Sequence, residues 1–458
     1  MLALLTSIAG FSQEVEGAWN GELNVAGQKL RLVFNIEKSD AGISATMDSP
    51  DQNAYGIPVS EATFEDSKLF ISITPAGIKF EGTLAGDSIS GTFSQMGSSF
   101  PMTLSKNAQK VEKPKRPQEP DKPYPYVSEN ITFENTEAGI HLSGTLTLPD
   151  AKGKYPAVVL ISGSGQQNRD EELMGHKPFL VLADHLTRNG IAVLRFDDRG
   201  AGESGGDFSK ATSFDFATDV KAAIDYLKSR KEIDPATIGL MGHSEGGIVA
   251  PVVASQHPDE VGYIVLLAGP GLPGSEIVMM QQQLIGKASG MPEDELELAV
   301  GMNKQIFDLI DEIDNSEELQ KKVRDLFHKK IKQNPEMVPE GMEAGQFIDM
   351  QLSLLLTPWM KNFLTYDPVL ALKKVRCPVL ALNGEKDLQV PPKENLEIIR
   401  ETLENAGNNN VSTIELKGLN HLFQECETGL PSEYGQIEQT MSPIALNTIL
   451  KWVEKQVE

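Results

Sequence analysis

Six short apolar runs constrain this chain most: YPAVVLIS, GIAVLRF, TIGLMG, GYIVLLAG, CPVLALNG and VSTIELKG. Each is about five to eight residues long, rich in Val, Ile and Leu, and shows no polar alternation. A strand with one wet face alternates, whereas a parallel strand covered by helices on both faces reads as a continuous apolar run. Segments with helical period, PFLVLADHLTRN, FATDVKAAIDYLKSR and SPIALNTILKWVEKQ, lie between or after these runs. The pattern predicts a doubly wound, mostly parallel α/β sheet, entered through a hairpin made of VSENITFEN and IHLSGTLTLP.

The alternation breaks once. Between GYIVLLAGPG and RCPVLALNG lie about 100 residues of helical patterning, including EDELELAVGMNKQIFDLIDEI. A strand-to-strand connection is normally far shorter, so residues 273–363 are expected to form a helical cap inserted into a domain spanning 127–458. Upstream, KLRLVFNI, KLFISIT, IKFEGTLAG and DSISGTF carry period two with Gly, Ser and Asp turns. That predicts a separate all-β domain over 14–108, as an antiparallel meander, sandwich or small barrel. The Pro- and Lys-rich stretch at 109–126 reads as an extended linker. Residues 1–13, MLALLTSIAGFSQ, have the apolar and small-residue regions of a secretory signal without its basic start. A signal implies export to the periplasm or the exterior; the alternative, a buried first strand or helix, leaves the chain cytoplasmic.

The formal net charge of −24 over 458 residues opposes partners that need a basic face, namely nucleic acid and anionic membrane surfaces. No later stretch is apolar enough to suggest a transmembrane helix. Two cysteines, Cys377 and Cys426, cannot build a disulfide framework, and two free thiols are expected in preference to one bridge. No metal or organic cofactor is implied by any ligand spacing, and the oligomeric state is left open.

The pattern G-x-S-x-G occurs twice, around Ser204 and around Ser244. A nucleophile elbow needs a strand entering directly and a helix leaving directly. Ser244 has TIGLM before it and GIVAPVVAS after it; Ser204 sits in DDRGAGESGGDFSK, without a helix start. Ser244 is therefore the candidate nucleophile and Ser204 a loop serine. CPVLALNG runs into EKD, which puts Asp387 just past a strand end, and VSTIELKG runs into LNH, which puts His421 in the next such loop. A serine hydroxyl needs a neighbouring base, and the base needs a carboxylate to fix its tautomer. His421 is assigned as base and Asp387 as acid, with Glu385 as the competing acid. Developing negative charge on a substrate carbonyl needs backbone N–H donors. These are assigned to Glu245, after the nucleophile, and to Ser164 in the Gly163–Ser164–Gly165 loop, with Gly165 as second choice.

Together ISGSGQQNRDEELMGHKPFLVLADHL, RFDDRGAGESGG, GHSEGGIVAP, LNGEKDLQVPP and LNHLFQ resemble bacterial α/β-hydrolases of the serine-aminopeptidase and prolyl-oligopeptidase-like grouping, specifically esterases with an extra N-terminal β domain. The resemblance runs from about Tyr126 to the C-terminus and implies an acyl-serine mechanism on Ser244, His421 and Asp387. One departure is Ser162, where many relatives place His. Arg169 and Asp170 match a charged patch beside that loop, for which a salt bridge is the simpler reading.

The expected function is carboxylic ester hydrolysis on a small acyl ester. The second reading is exopeptidase-type hydrolysis of short peptides, with Glu293, Asp294 and Glu295 holding a substrate amino group or simply forming a solvated helix face. A reading of another class is a binding protein with a vestigial hydrolase domain. Leu354, Leu355 and Trp359 are candidates either for an acyl-facing wall or for the cap's own core.

Overall fold

The computed structural model describes residues 15–25, 28–39, 42–50, 54–74, 77–95, 98–106, 115–338 and 342–458. The signal-like residues 1–13 and the linker residues 109–114 lie outside these. The chain divides into two compact units, 1–113 with 334–347, and 114–333 with 348–458.

The first unit holds an antiparallel sheet of nine strands: β1 (Gly17–Val25), β2 (Gln28–Ser39), β3 (Gly42–Ser49), β4 (Ala54–Pro58), β5 (Glu61–Glu65), β6 (Lys68–Ile73), β7 (Ile78–Ala85), β8 (Ser88–Gln95) and β9 (Ser98–Ser105). Their order is β4-β3-β2-β1-β9-β8-β7-β6-β5. Sequence neighbours pair up and down, and β1 also pairs with β9 while β4 and β5 form the two edges, so among the all-β forms left open by the sequence the strand order is that of a half-barrel. Period two appears directly in β7, where Ile78, Phe80 and Leu84 are buried while Lys79 and Glu81 are exposed. Trp19, Phe34, Phe80 and Phe93 fill its core, with the Phe34 and Phe80 rings 5.8 Å apart.

The second unit holds a sheet of eight strands. Its strands are β10 (Val127–Asn135), β11 (Ile140–Leu148), β12 (Tyr155–Ile161), β13 (Ala192–Phe196), β14 (Ile233–His243), β15 (Tyr263–Leu267), β16 (Val379–Gly384) and β17 (Val411–Leu416). They run in the order β10-β11-β13-β12-β14-β15-β16-β17. The hairpin β10–β11 is antiparallel and the strands from β13 to β17 pair in parallel. Helices α1 (Pro178–Arg188) and α11 (Pro443–Val457) share one core with Val158, Leu160 and Val193. Helices α2 (Ser213–Ser229), α3 (Gly246–Gln256) and α10 (Pro392–Asn405) share the other with Ala157, Val159 and Leu194. Successive residues of β12 thus enter opposite cores, which is why its sequence shows no alternation.

Between β15 and β16 lie α4 (Gly274–Ala288), α5 (Glu293–Glu312), α6 (Ser316–Gln333), α7 (Ala344–Leu355), α8 (Pro358–Thr365) and the short α9 (Val369–Leu372). No helix among the described residues is long and apolar enough to cross a membrane. Both cysteines are free.

The described part of the Pro- and Lys-rich stretch is strapped down. The Arg116 guanidinium donates to the carbonyls of Met174, Gly175, Gly435 and Ile437, and Gln118 bonds the backbone at Thr440 and Met441. From Arg116 onward the segment therefore belongs to the second unit, not to a free spacer.

Candidate active site

In-register parallel strands bring their carboxyl ends to one edge of the sheet. Ile161 aligns with Gly242, His243 with Leu267, Leu267 with Leu382, and Gly384 with Leu416. The loops that leave this edge carry Ser164, Ser244, Asp387 and His421.

Ser244 occupies the single residue between β14 and the Glu245 that caps α3, with φ +50°. An L-residue in the left-handed region stores strain that the surroundings must hold. Ser244 N–H donates to Leu267 O at 2.8 Å, and Ser244 O accepts from Gly247 N–H at 2.8 Å. Gly242 and Gly246 are obligatory: a Cβ on the first would collide with the Gly246 carbonyl, and one on the second with the Ile161 carbonyl. The side chain is half-buried. Ser204 differs in every respect. It is buried, its Oγ donates to Asp197 O at 2.8 Å, and it accepts from Ser143 N–H at 2.9 Å, so it is a structural loop residue.

His421 and Asp387 are both buried and joined by a 2.7 Å contact between Nδ1 and Oδ2. The other carboxylate oxygen, Oδ1, accepts from the N–H groups of Gln389 at 2.8 Å and Val390 at 2.9 Å. Glu385, the competing acid, instead accepts from Gly418 N–H and makes no bond to the imidazole. Hydrogen bonds among the described residues include none between Ser244 Oγ and His421 Nε2. The serine does stand beside the base's loop: the ring of its neighbour His243 lies 4.9 Å from the His421 ring. Such contacts commonly tighten only when substrate is bound.

A pocket of about 100 Å³ opens beside Ser244, with Ser164, Glu245, Ile277, Trp359, Phe363 and Gln389 in its lining. Gly163 N–H is engaged by Glu171 Oε1 at 2.6 Å, whereas the Ser164 and Glu245 amides have no protein acceptor among the described residues. The free Glu245 amide sits at the amino end of α3, where the helix dipole favours negative charge. The Glu245 carboxyl is fully buried, accepting from Ser213 Oγ at 2.6 Å and Trp359 Nε1 at 2.7 Å through Oε1. Burial pushes its pKa above the ordinary glutamate value.

Of the wall candidates, Trp359 lines the pocket, stacked on Phe363 at 5.2 Å; Leu354 is exposed and Leu355 lies outside the lining. Glu293, Asp294 and Glu295 are exposed on the first turn of α5, away from this pocket, as a solvated helix face. Arg169 and Asp170 are both structural. Arg169 grips both Asp197 oxygens and Gly144 O, while Asp170 pairs with Arg195.

Sequence reasoning passed over Glu171 and His243. His243 Nδ1 lies 2.9 Å from Glu171 Oε1, and its Nε2 lies 3.1 Å from His421 O. The one available signal was that His243 occupies the variable position directly before the nucleophile.

A family model described as serine aminopeptidase, S33, matches residues 177–427. Esterase EstD of Thermotoga maritima is 26% identical over 329 residues, covering 71% of this chain and 68% of that protein. An uncharacterized 31.7 kDa protein of Escherichia coli is 24% identical over 268 residues, covering 58% of this chain and 83% of its own length. Among solved structures, Est1E from Butyrivibrio proteoclasticus with ferulic acid is 17% identical with a TM-score of 0.41, covering 71% of this chain and 99% of that one.

Proposed function

The chain belongs to the serine aminopeptidase (S33) family of α/β hydrolases, and from that premise we propose that it cleaves carboxylic esters through an acyl-enzyme formed on Ser244. His421 takes the Ser244 proton as Oγ attacks the ester carbonyl, then returns it to the departing alcohol. Asp387 holds Nδ1 protonated so that Nε2 stays free to accept. The Ser164 and Glu245 amides receive the oxyanion. A water molecule, deprotonated by the same imidazole, then releases the acid. The observation that carries this reading is the strained Ser244, φ +50°, set between an unengaged helix-end amide and a carboxylate-bonded histidine loop. The ester bond is favoured by the relative EstD, which is named an esterase. The helices α4 and α8 act as a cap, because Ile277, Gln281, Trp359 and Phe363 enclose the pocket above the nucleophile.

Peptide hydrolysis is the second reading, because of the family's aminopeptidase description. Against it, the acidic run on α5 is solvent-facing and lies outside the pocket lining. The test is a panel of acyl p-nitrophenyl esters beside aminoacyl-p-nitroanilides. Turnover of the esters with none of the anilides is expected; the reverse preference would make the chain a peptidase.

A further inference from the structure

We propose that Glu171 and His243 form a buried carboxylate–imidazolium pair that positions the hydrolytic machinery by tying the loop after β12 to the loop that carries His421. This rests on the reading of Ser244, His421 and Asp387 given above.

The proton count is decisive. Glu171 and His243 are 4% and 7% exposed, so neither relies on water for its partners. Glu171 Oε1 accepts from Gly163 N–H at 2.6 Å and faces His243 Nδ1 at 2.9 Å. On the other side of the ring, Nε2 faces the His421 carbonyl at 3.1 Å. With Glu171 as carboxylate, both it and the peptide carbonyl only accept, so both ring nitrogens donate, and that is the cation. The groups facing His243 agree: Glu171 in contact, Asp387 at longer range, and the His421 ring at 4.9 Å, tilted by 48°. Burial pulls the imidazole toward neutrality, but the Glu171 carboxylate outweighs it and the pKa is raised.

Each end of the pair holds something the reaction needs. The Gly163 amide is taken by Glu171, which fixes that peptide next to Ser164, a pocket-lining residue whose own amide has no acceptor among the described residues. The His421 carbonyl is held by a charged donor while its ring is held by Asp387, so the base is anchored at backbone and side chain. Neither Glu171 nor His243 lines the pocket; both are positioning residues. The sign of the pH effect follows. A raised imidazole pKa contributes stability that is fully present below the unfolded-state value and is lost as pH rises through the native one. Once the proton leaves, one of the two bonds must break, and kcat falls on the alkaline side.

The experiment compares pH profiles of kcat and KM for p-nitrophenyl acetate, from about pH 5 to about pH 10, in wild type, Glu171→Gln, Glu171→Asp and His243→Gln. Glu171→Gln removes the charge that holds the proton, so its alkaline limb should move down by ~1–3 pH units, while Glu171→Asp keeps it near the wild-type position. His243→Gln cannot titrate and should lose that limb, with kcat down ~10-fold or more and KM little changed. Fluorophosphonate labelling of wild-type Ser244 is run alongside; no labelling would overturn the triad reading and this proposal with it, whereas labelling without the expected shift in Glu171→Gln would overturn the pair alone. Superimposable limbs in wild type and Glu171→Gln would overturn the pair. So would losses that are uniform in pH and track the folded fraction in all three variants.

Discussion

Asp387→Asn is a sharper perturbation here than in a typical buried carboxylate, because the amide that replaces it cannot choose its orientation. Oδ1 receives two backbone N–H groups, from Gln389 and Val390. Turning the amide so that its NH₂ faces them would set donor against donor twice, at a cost of ~1–3 kcal/mol for each group left unpaired. The introduced asparagine must therefore keep its oxygen there and aim its NH₂ at His421 Nδ1, 2.7 Å away in the parent. That forces the imidazole proton onto Nε2, the atom that has to accept the Ser244 proton. The wrong tautomer should lower kcat by ~10²–10⁴-fold, or ~3–5 kcal/mol at 1.36 kcal/mol per decade. Asp387→Ala frees the imidazole to take either tautomer, so the Asn variant should be no better than the Ala variant despite its closer shape. The assay is kcat for p-nitrophenyl acetate with Ser244→Ala as the floor, beside thermal melts. An Asn variant within ~10-fold of wild type, or a larger loss from Glu385→Gln, would refute the assignment of the acid.

Three further outcomes are expected. Ser204→Ala removes two buried hydrogen bonds and should cost ~1–3 kcal/mol, with Tm lowered by ~2–4 °C per kcal/mol and kcat kept; a lost kcat with an unchanged melt would reverse the choice of nucleophile. Trp359→Ala should open the pocket beside Ser244 and raise the ratio of octanoyl to acetyl kcat/KM by ~10-fold or more; an equal fall for both esters with a lower Tm would make Trp359 a packing residue. Removing residues 1–113 should leave a soluble enzyme active on p-nitrophenyl acetate, whereas also removing Arg116 and Gln118 should lower its Tm; an aggregated first truncation would show that the β sheet is needed for the second unit to fold.

The parts of the fold legible in the sequence are those set by local pattern. Non-alternating runs become parallel strands because α1 and α11 on one face, and α2, α3 and α10 on the other, leave neither face wet. The choice of Ser244 over Ser204 rested on strand-then-helix context, and the φ of +50° at Ser244 is the conformation that context requires. Partnerships across sheet order were not legible. Glu171 lies 72 residues before His243 and 178 residues separate His243 from His421. Nothing local in IGLMGHSEGG says which loops will flank the histidine. Likewise the run KVEKPKRPQEP reads as spacer by composition, yet Arg116 finds four carbonyls supplied by segments about 60 and 320 residues away. Leu354 shows a third kind of limit: an apolar residue in a helical stretch can face water, and periodicity does not say which stripe meets the pocket.

The acyl-enzyme on Ser244 can be read directly. The purified full chain is mixed with p-nitrophenyl acetate, quenched in acid within the first turnover, digested and analysed by mass spectrometry. The expected result is an acetyl group, about 42 Da, on the peptide containing GHSEGG, enriched in Asp387→Asn only to the extent that acylation still occurs, and absent in Ser244→Ala. Acetylation on the peptide containing Ser204, or turnover that persists in Ser244→Ala with no acylated peptide, would contradict it.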